Sequence, residues 1–596
     1  MAQTATPRLY DGFVALPRGM HSGRAKTLLP PEQVAFATNA TFRGDLPHNR
    51  PGWSRLSADF SAATGRFQGA HLFEPISGDA HLLCSIGGHI YKIDIVPALK
   101  TVSDVSIAGD PGATNLVQSW FCSVPGWCVI QDGQALPQIW DGNLMRRASD
   151  VKHEVPVGTA MAYGSGRLWV ALTDRRSFVA SDLIYSDSGT PAYSYRDSVL
   201  RFTENEVIYG GGAFGVPVEA GDITGMKFVG VADTSTGQGP MLVGTERSTF
   251  SVNAPFDRVQ WGDMTSPIAT VTLPNGGPAG PWCMAGVNGD VWYRDRIGIR
   301  SVQTAVRDFG RWTNTPLSRP MRRIMESDDR RLLRYGSMVE FDNRLLCTVT
   351  PQRDPTAGVY HLGLAVLDFD QVSDTDDLGL ATASPVWDGL WTGLNILQVV
   401  AGRVGGIDRC FVFAWNTSSD EVELWELSTD ATSDDDGGSP IVWTLETPSY
   451  AFSTPNDRKD IKGAKLWLRS LRGSVTVTAE YSPDEYPIWL PWATTTLCAP
   501  TGNCDAAACS GVPAQPQSRN PLPLPEPPQT CRGGQRLPTG TGYTFSTKLT
   551  VTGSVTISRF RMEATAVADD RGSACTANET CEAVSSCPDD PFAYTI

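Results

Sequence analysis

Seven histidines (His21, His48, His71, His81, His89, His153 and His361) are the chain's supply of side chains that exchange protons near neutral pH, and none follows residue 361. A hydrolase built on Ser or Cys would have to pair its nucleophile with one of them. No GxSxG elbow or recognisable Cys/His signature accompanies them, and HExxH, GxxxxGK[ST] and the EF-hand pattern are absent. Each histidine is therefore expected in a loop or in the core. No catalytic residue, cofactor or metal site is assigned.

Paired carboxylates are the other route to chemistry, because some β-rich glycosidases work with two acids. YSDSGTPAY from Tyr185 places Asp187-x-Gly189 as in a sialidase Asp-box turn, but the leading Ser and closing Trp are missing. Pairs such as Glu204 and Glu206 recur throughout so acidic a chain, and the sequence assembles no arginine cluster to hold a sugar carboxylate. A carbohydrate-degrading enzyme stays only as an alternative.

Thirteen cysteines divide unevenly. The first six, including Cys84, Cys283 and Cys347, sit in apolar strand-like contexts and read as small buried hydrophobes. The remaining seven are Cys498, Cys504, Cys509, Cys531, Cys575, Cys581 and Cys587, spaced C-x5-C-x4-C, then one alone, then C-x5-C-x5-C. That spacing is poor for zinc, which favours shorter C-x2-4-C knuckles. Disulfides suit loops without an apolar core, while free thiols and a metal remain open; the odd number leaves one thiol over.

The elements that must position these residues are short and numerous. With 58 Gly and 42 Pro among 596 residues, the chain turns often, and apolar/polar alternation dominates over helical periodicity. The class is all-β, with a helical turn expected near Pro31–Thr38 and another near Arg319–Met325. GGHIYKID from Gly87, SGRLWVAL from Ser165, NGDVWYRD from Asn288 and FDNRLLCTV from Phe341 repeat one plan: a tight turn, then an apolar strand carrying large side chains. Related units include CVIQDGQALPQIWDG and MLVGTERSTFSVN. Their spacing suits four-stranded propeller blades better than irregular stacked hairpins.

The expected organisation is an N-terminal arm with the first strands over 1–60 and a β-propeller over 61–440. A C-terminal β-sandwich follows over 441–497 and 539–568, with loop-rich Cys/Pro excursions at 498–538 and in the tail 569–596. Asp408–Ser428 reads as a hairpin, and the acidic TDATSDDDGGSP after it as a solvated surface loop. The formal charge of -15 argues against gripping nucleic acid by its phosphates. No basic, apolar leader opens the chain and no stretch approaches a membrane span, so a soluble protein is expected.

GMHSGRAKTLLPPEQVAFATNATFRGDLPHNRPGW, from Gly19 to Trp53, resembles the opening of a phage virion protein. Similar phrasing continues in IQDGQALPQIWDG, LIYSDSGTPAYSYRDSVLRFTENE, VNGDVWYRDRIGIRS and YGSMVEFDNRLLCTVTP, in that order. Together they are similar to the β-propeller tail nozzle proteins (tail tubular protein B) of short-tailed phages and related tail hubs, over about residues 8 to 495. The resemblance implies a structural virion protein and not an enzyme. It would be made in the host cytoplasm and placed in the tail as a homohexamer below a portal adaptor, with tail fibres or spikes docked outside and genomic DNA passing without specific binding. An acidic channel lining is expected on that account. The alternative is a tail-associated receptor- or glycan-binding module.

Overall fold

In the computed structural model, residues 8–567 are described except 97–99, 113–117, 184–194, 204–212, 231–237, 256–258, 263–268, 275, 303–315, 374–383, 436–437, 499–520, 528–529, 533–534 and 538–539. The described chain is mostly β, with a few one-turn helices. It divides into two compact units: Met1–Trp53 with Leu367–Trp391 and Ser428–Ile596, and Ser54–Val366 with Thr392–Leu427. The arm expected over 1–60 thus groups, up to Trp53, with the C-terminal strands. No helix among the described residues is long and apolar enough to cross a membrane.

The unit that begins at Ser54 contains a series of antiparallel sheets. Four are four-stranded and run from Phe67 to Asp104, from Trp120 to Arg147, from Gly158 to Gly215 and from Ile223 to Pro274; a fifth, Met284 to Ser301, has three strands. Meandering pairs continue from Met338–Phe341 with Arg344–Asp354, and later Ile407–Asn416 with Glu421–Ser428, the hairpin expected at Asp408–Ser428.

The repeated sequence plan has a local cause. Five hairpins close on two-residue turns in which both residues have positive φ: Gly87-Gly88, Ser165-Gly166, Asn288-Gly289, Asp342-Asn343 and Gly405-Gly406. This is the type I′ geometry, whose twist matches that of the strands and which Gly and Asn enter at little cost. The apolar strand after each turn is then pinned in register against the strand before it.

Apolar faces join successive sheets. Phe73, Leu83 and Ile90 of the first meet Cys128, Ile130 and Trp140 of the second. Val129 and Ile139 of the second meet Leu168 and Val170 of the third. Trp169 and Phe178 of the third meet Met241 and Phe250 of the fourth, and Leu242 of the fourth meets Val291 and Tyr293 of the fifth. The first sheet's other face, with Leu82, Cys84 and Ile93, packs on Leu397, Phe411, Phe413 and Leu424.

In the other unit, two long antiparallel strands, Lys459–Pro483 and Phe545–Ala566, pair along their length. Val442–Glu446 and Arg8–Phe13 add to the second of these, and Leu490–Cys498 to the first. Buried Leu549, Val551, Val555 and Ile557 alternate with partly exposed Thr and Ser, the two-residue period of a strand with one covered face.

The helical turn expected at Pro31–Thr38 is not formed. Phe36–Thr38 is a strand paired with Thr444–Glu446, and the local helix start yields to that pairing, with only a 3-10 turn earlier at Lys26–Leu28. The other expected turn is present, as a 3-10 turn at Arg319–Met321 running into a helical turn at Arg322–Met325.

Candidate functional site

The histidines are placed one by one. His21 is buried and its Nδ1 accepts from the Gly23 amide at 3.1 Å. His48 lies 3.0 Å from the Leu46 carbonyl, and His153 occupies a turn at φ +52. Trp140 Nε1 donates to His81 Nε2 at 2.9 Å, which leaves His81 Nδ1 to donate to the Asp79 carbonyl. His89 pairs with Asp104 at the surface, and His361 sits in the core with Nδ1 3.3 Å from the Ile396 carbonyl.

One juxtaposition was not legible in the sequence. His71 Nε2 lies 2.7 Å from Ser123 Oγ, a nucleophile-to-base distance. Burial, helped by the Lys227 ammonium nearby, pushes this imidazole down to about 4. The ring stacks on Phe121, and the pair, whose hydrogen bond is at an exposed position, ties the first sheet to the second.

Cys84, Cys122, Cys128, Cys283, Cys347 and Cys410 are all buried and unpaired. Burial raises every thiol: to about 12 for Cys122 and Cys283, about 11 for Cys347, and higher for Cys84, Cys128 and Cys410. They are packing residues and not nucleophiles. Cys498 is disulfide-bonded. The side chains of Cys504, Cys509, Cys531, Cys575, Cys581 and Cys587 lie outside the described residues, as do Asp187, Gly189, Glu204 and Glu206. No group of three or more His, Cys, Asp or Glu suited to a metal ion occurs among the described residues.

Polar residues of the Asn39–Trp53 segment build a buried frame. Arg50, 1% exposed, makes a two-bond fork to Asp434 with both distances 2.9 Å, and its Nε donates to Asn39. The Trp53 amide donates to the same carboxylate. Arg43 forks onto Asp368 at 2.9 and 3.0 Å, while Thr41 Oγ1 and the Phe42 amide donate to buried Asp388. The acidic loop expected at the surface is partly exposed, and one of its carboxylates, the partly exposed Asp434, is the counter-ion of buried Arg50, while its neighbour Asp435 is exposed.

A cleft of about 330 Å³ opens in the unit that begins at Ser54. Trp120 and Thr159 come from the first strands of the second and third sheets, Asp222 directly precedes the fourth sheet and Glu246 lies within it, and Arg296 lies within the fifth. Arg330, Arg331, Arg334 and Tyr335 come from the segment that follows, and Arg175 completes five guanidiniums against two carboxylates. The carboxylates are loosely held: Arg175 is 3.8 Å from Asp222 and Arg296 is 3.7 Å from Glu246. Arg334 Nη2 donates to Tyr335 Oη at 2.7 Å. Thr159 and Gln118 line the cleft, and Thr159 Oγ1 and Gln118 Nε2 are buried atoms with no hydrogen-bond partner. The sequence shows only the fragment DDRRLLRY as a trace of this cluster, because its other members are scattered from Gln118 to Arg296.

No family model matches the chain, and no curated protein does. Among solved structures, one similar chain belongs to "Crystal structure of BBS1N in complex with ARL6DN, soaked with mercury", at 10% identity and TM-score 0.33, covering 64% of this chain and 99% of that one. Another is "YCF48 bound to D1 peptide", at 9% and 0.33, covering 64% and 96%. A third belongs to "Crystal Structure of Mitotic Checkpoint Complex", at 8% and 0.30, covering 63% and 91%.

Proposed function

We propose that this chain is a structural virion protein, a subunit of a phage tail nozzle through which the genome leaves. Its successive sheets would close as a propeller, and its long C-terminal strands would belong to a sandwich. The observation that carries the reading is the fate of the segment on which the family resemblance rests. Thr41, Arg43 and Arg50 are spent on buried or part-buried contacts with Asp388, Asp368 and Asp434, more than 300 residues away in sequence, and Asn39 supports Arg50. A motif used this way is architectural, as a nozzle subunit requires, and leaves none of these side chains free to act on a substrate.

Closure of the propeller is supported by the first sheet. It packs one face on the second sheet and the other on strands near residues 397–424, the kind of contact a closed series would make. The proposed assembly is a homohexamer that meets a portal adaptor and carries tail fibres or spikes. Native mass spectrometry of the purified full-length protein tests this: a six-subunit mass is expected. A monomer at every concentration, together with binding to whole cells, would favour the receptor-binding alternative; release of host polysaccharide would favour the enzymatic one.

A further inference from the structure

We infer that the arginine-rich cleft binds a carboxylated saccharide, such as a uronic- or sialic-acid-bearing glycan. Arg330 and Arg331 are exposed and form no ion pair among the described residues, so two guanidinium forks stand ready for an oxyanion. Thr159, only 5% exposed, and Gln118 line the same space, and each carries a buried polar atom with no protein hydrogen bond. Buried polar groups without partners are rare in native proteins, and these two lie in residues that line the cleft. The carboxylates decide which oxyanion fits. Asp222 and Glu246, each beyond hydrogen-bond distance of its arginine, offer acceptors to a ligand that also carries hydroxyl donors. A phosphodiester backbone has no such donors and would be repelled there, whereas an acidic sugar supplies hydroxyls, a carboxylate and an apolar ring face for Trp120. The volume is that of a small-ligand site.

The inference stands on the cleft and is independent of the hexameric reading. Its test is calorimetric titration of the full-length protein with trigalacturonate and sialyllactose, against the neutral maltotriose and lactose, inorganic phosphate and a short single-stranded oligonucleotide. Saturable binding of at least one acidic sugar is expected, with its neutral counterpart at least about tenfold weaker, the worth of one good charged contact. Arg331→Ala and Arg330→Ala should each weaken it by a similar factor, and Thr159→Val by several-fold. Arg323→Ala, outside the cleft, should leave it unchanged, and matched thermal unfolding separates lost binding from lost folding. Equal or tighter binding of the oligonucleotide or phosphate overturns the inference, as does equal binding of neutral sugars or no binding of either acidic sugar. Undiminished binding in the folded Arg330 and Arg331 variants overturns it as well.

Discussion

Gln398 and Ala70, 328 residues apart in sequence, are joined by two hydrogen bonds: the Ala70 amide donates to Gln398 Oε1 at 2.7 Å, and Gln398 Nε2 donates to the Ala70 carbonyl at 2.9 Å. The side-chain amide thus takes the place of a strand along the free edge of the first sheet. Gln131 repeats the device between the second and third sheets, donating to the Pro156 carbonyl and accepting from the Gly158 amide. Packing would let neighbouring sheets slide; these directional bonds set their height.

Gln398→Leu should therefore destabilise the protein by about 2 kcal/mol or more, because it strands a buried N–H and a buried C=O at Ala70. Thermal unfolding followed by tryptophan fluorescence measures the loss. A change near zero would show that packing alone holds this seam.

Asp434→Asn should cost about 3–5 kcal/mol, since it leaves the Arg50 guanidinium buried without its counter-ion. Asp435→Asn, one residue along at an exposed position, should change stability by less than about 0.5 kcal/mol. Chemical denaturation of the two variants side by side checks the contrast, and equal effects would contradict the role of Asp434 as the counter-ion of Arg50.

His361 is held neutral: burial first, and then the Arg294 charge, push it down to about 3. The unfolded chain takes up its proton near pH 6.5 while the folded chain does not, so this residue lowers stability as pH falls from about 6.5 towards 3 and has no effect above that window. The stability of the natural protein minus that of His361→Gln should decline across the window by on the order of a few kcal/mol. A difference independent of pH would refute it.

Iodoacetamide on the native protein should leave Cys84, Cys122, Cys128, Cys283, Cys347 and Cys410 unlabelled, with all six reacting after denaturation. Cys498 should react only after reduction. Peptide mass spectrometry gives the answer, and rapid native labelling of any of the six would contradict their burial.

What was legible in the sequence was local. The pairs Gly87-Gly88, Ser165-Gly166, Asn288-Gly289 and Asp342-Asn343 announce turns because both positions need positive φ, and the aromatic strands follow from those turns. The ties from Gln398 to Ala70 and from Arg50 to Asp434 carry no local signal, since each half is an ordinary polar residue until the chain returns. The Pro31–Thr38 reading failed for the same reason: a distant strand at Thr444–Glu446 claims those backbone groups. The cleft was illegible because its arginines come from separate elements, and the acidic total of the chain concealed a basic pocket.

Electron microscopy of the purified full-length protein tests the central claim most directly. The account predicts a six-fold ring with an open centre wide enough for a DNA duplex. Solitary particles with no rotational assembly at any protein concentration would contradict it.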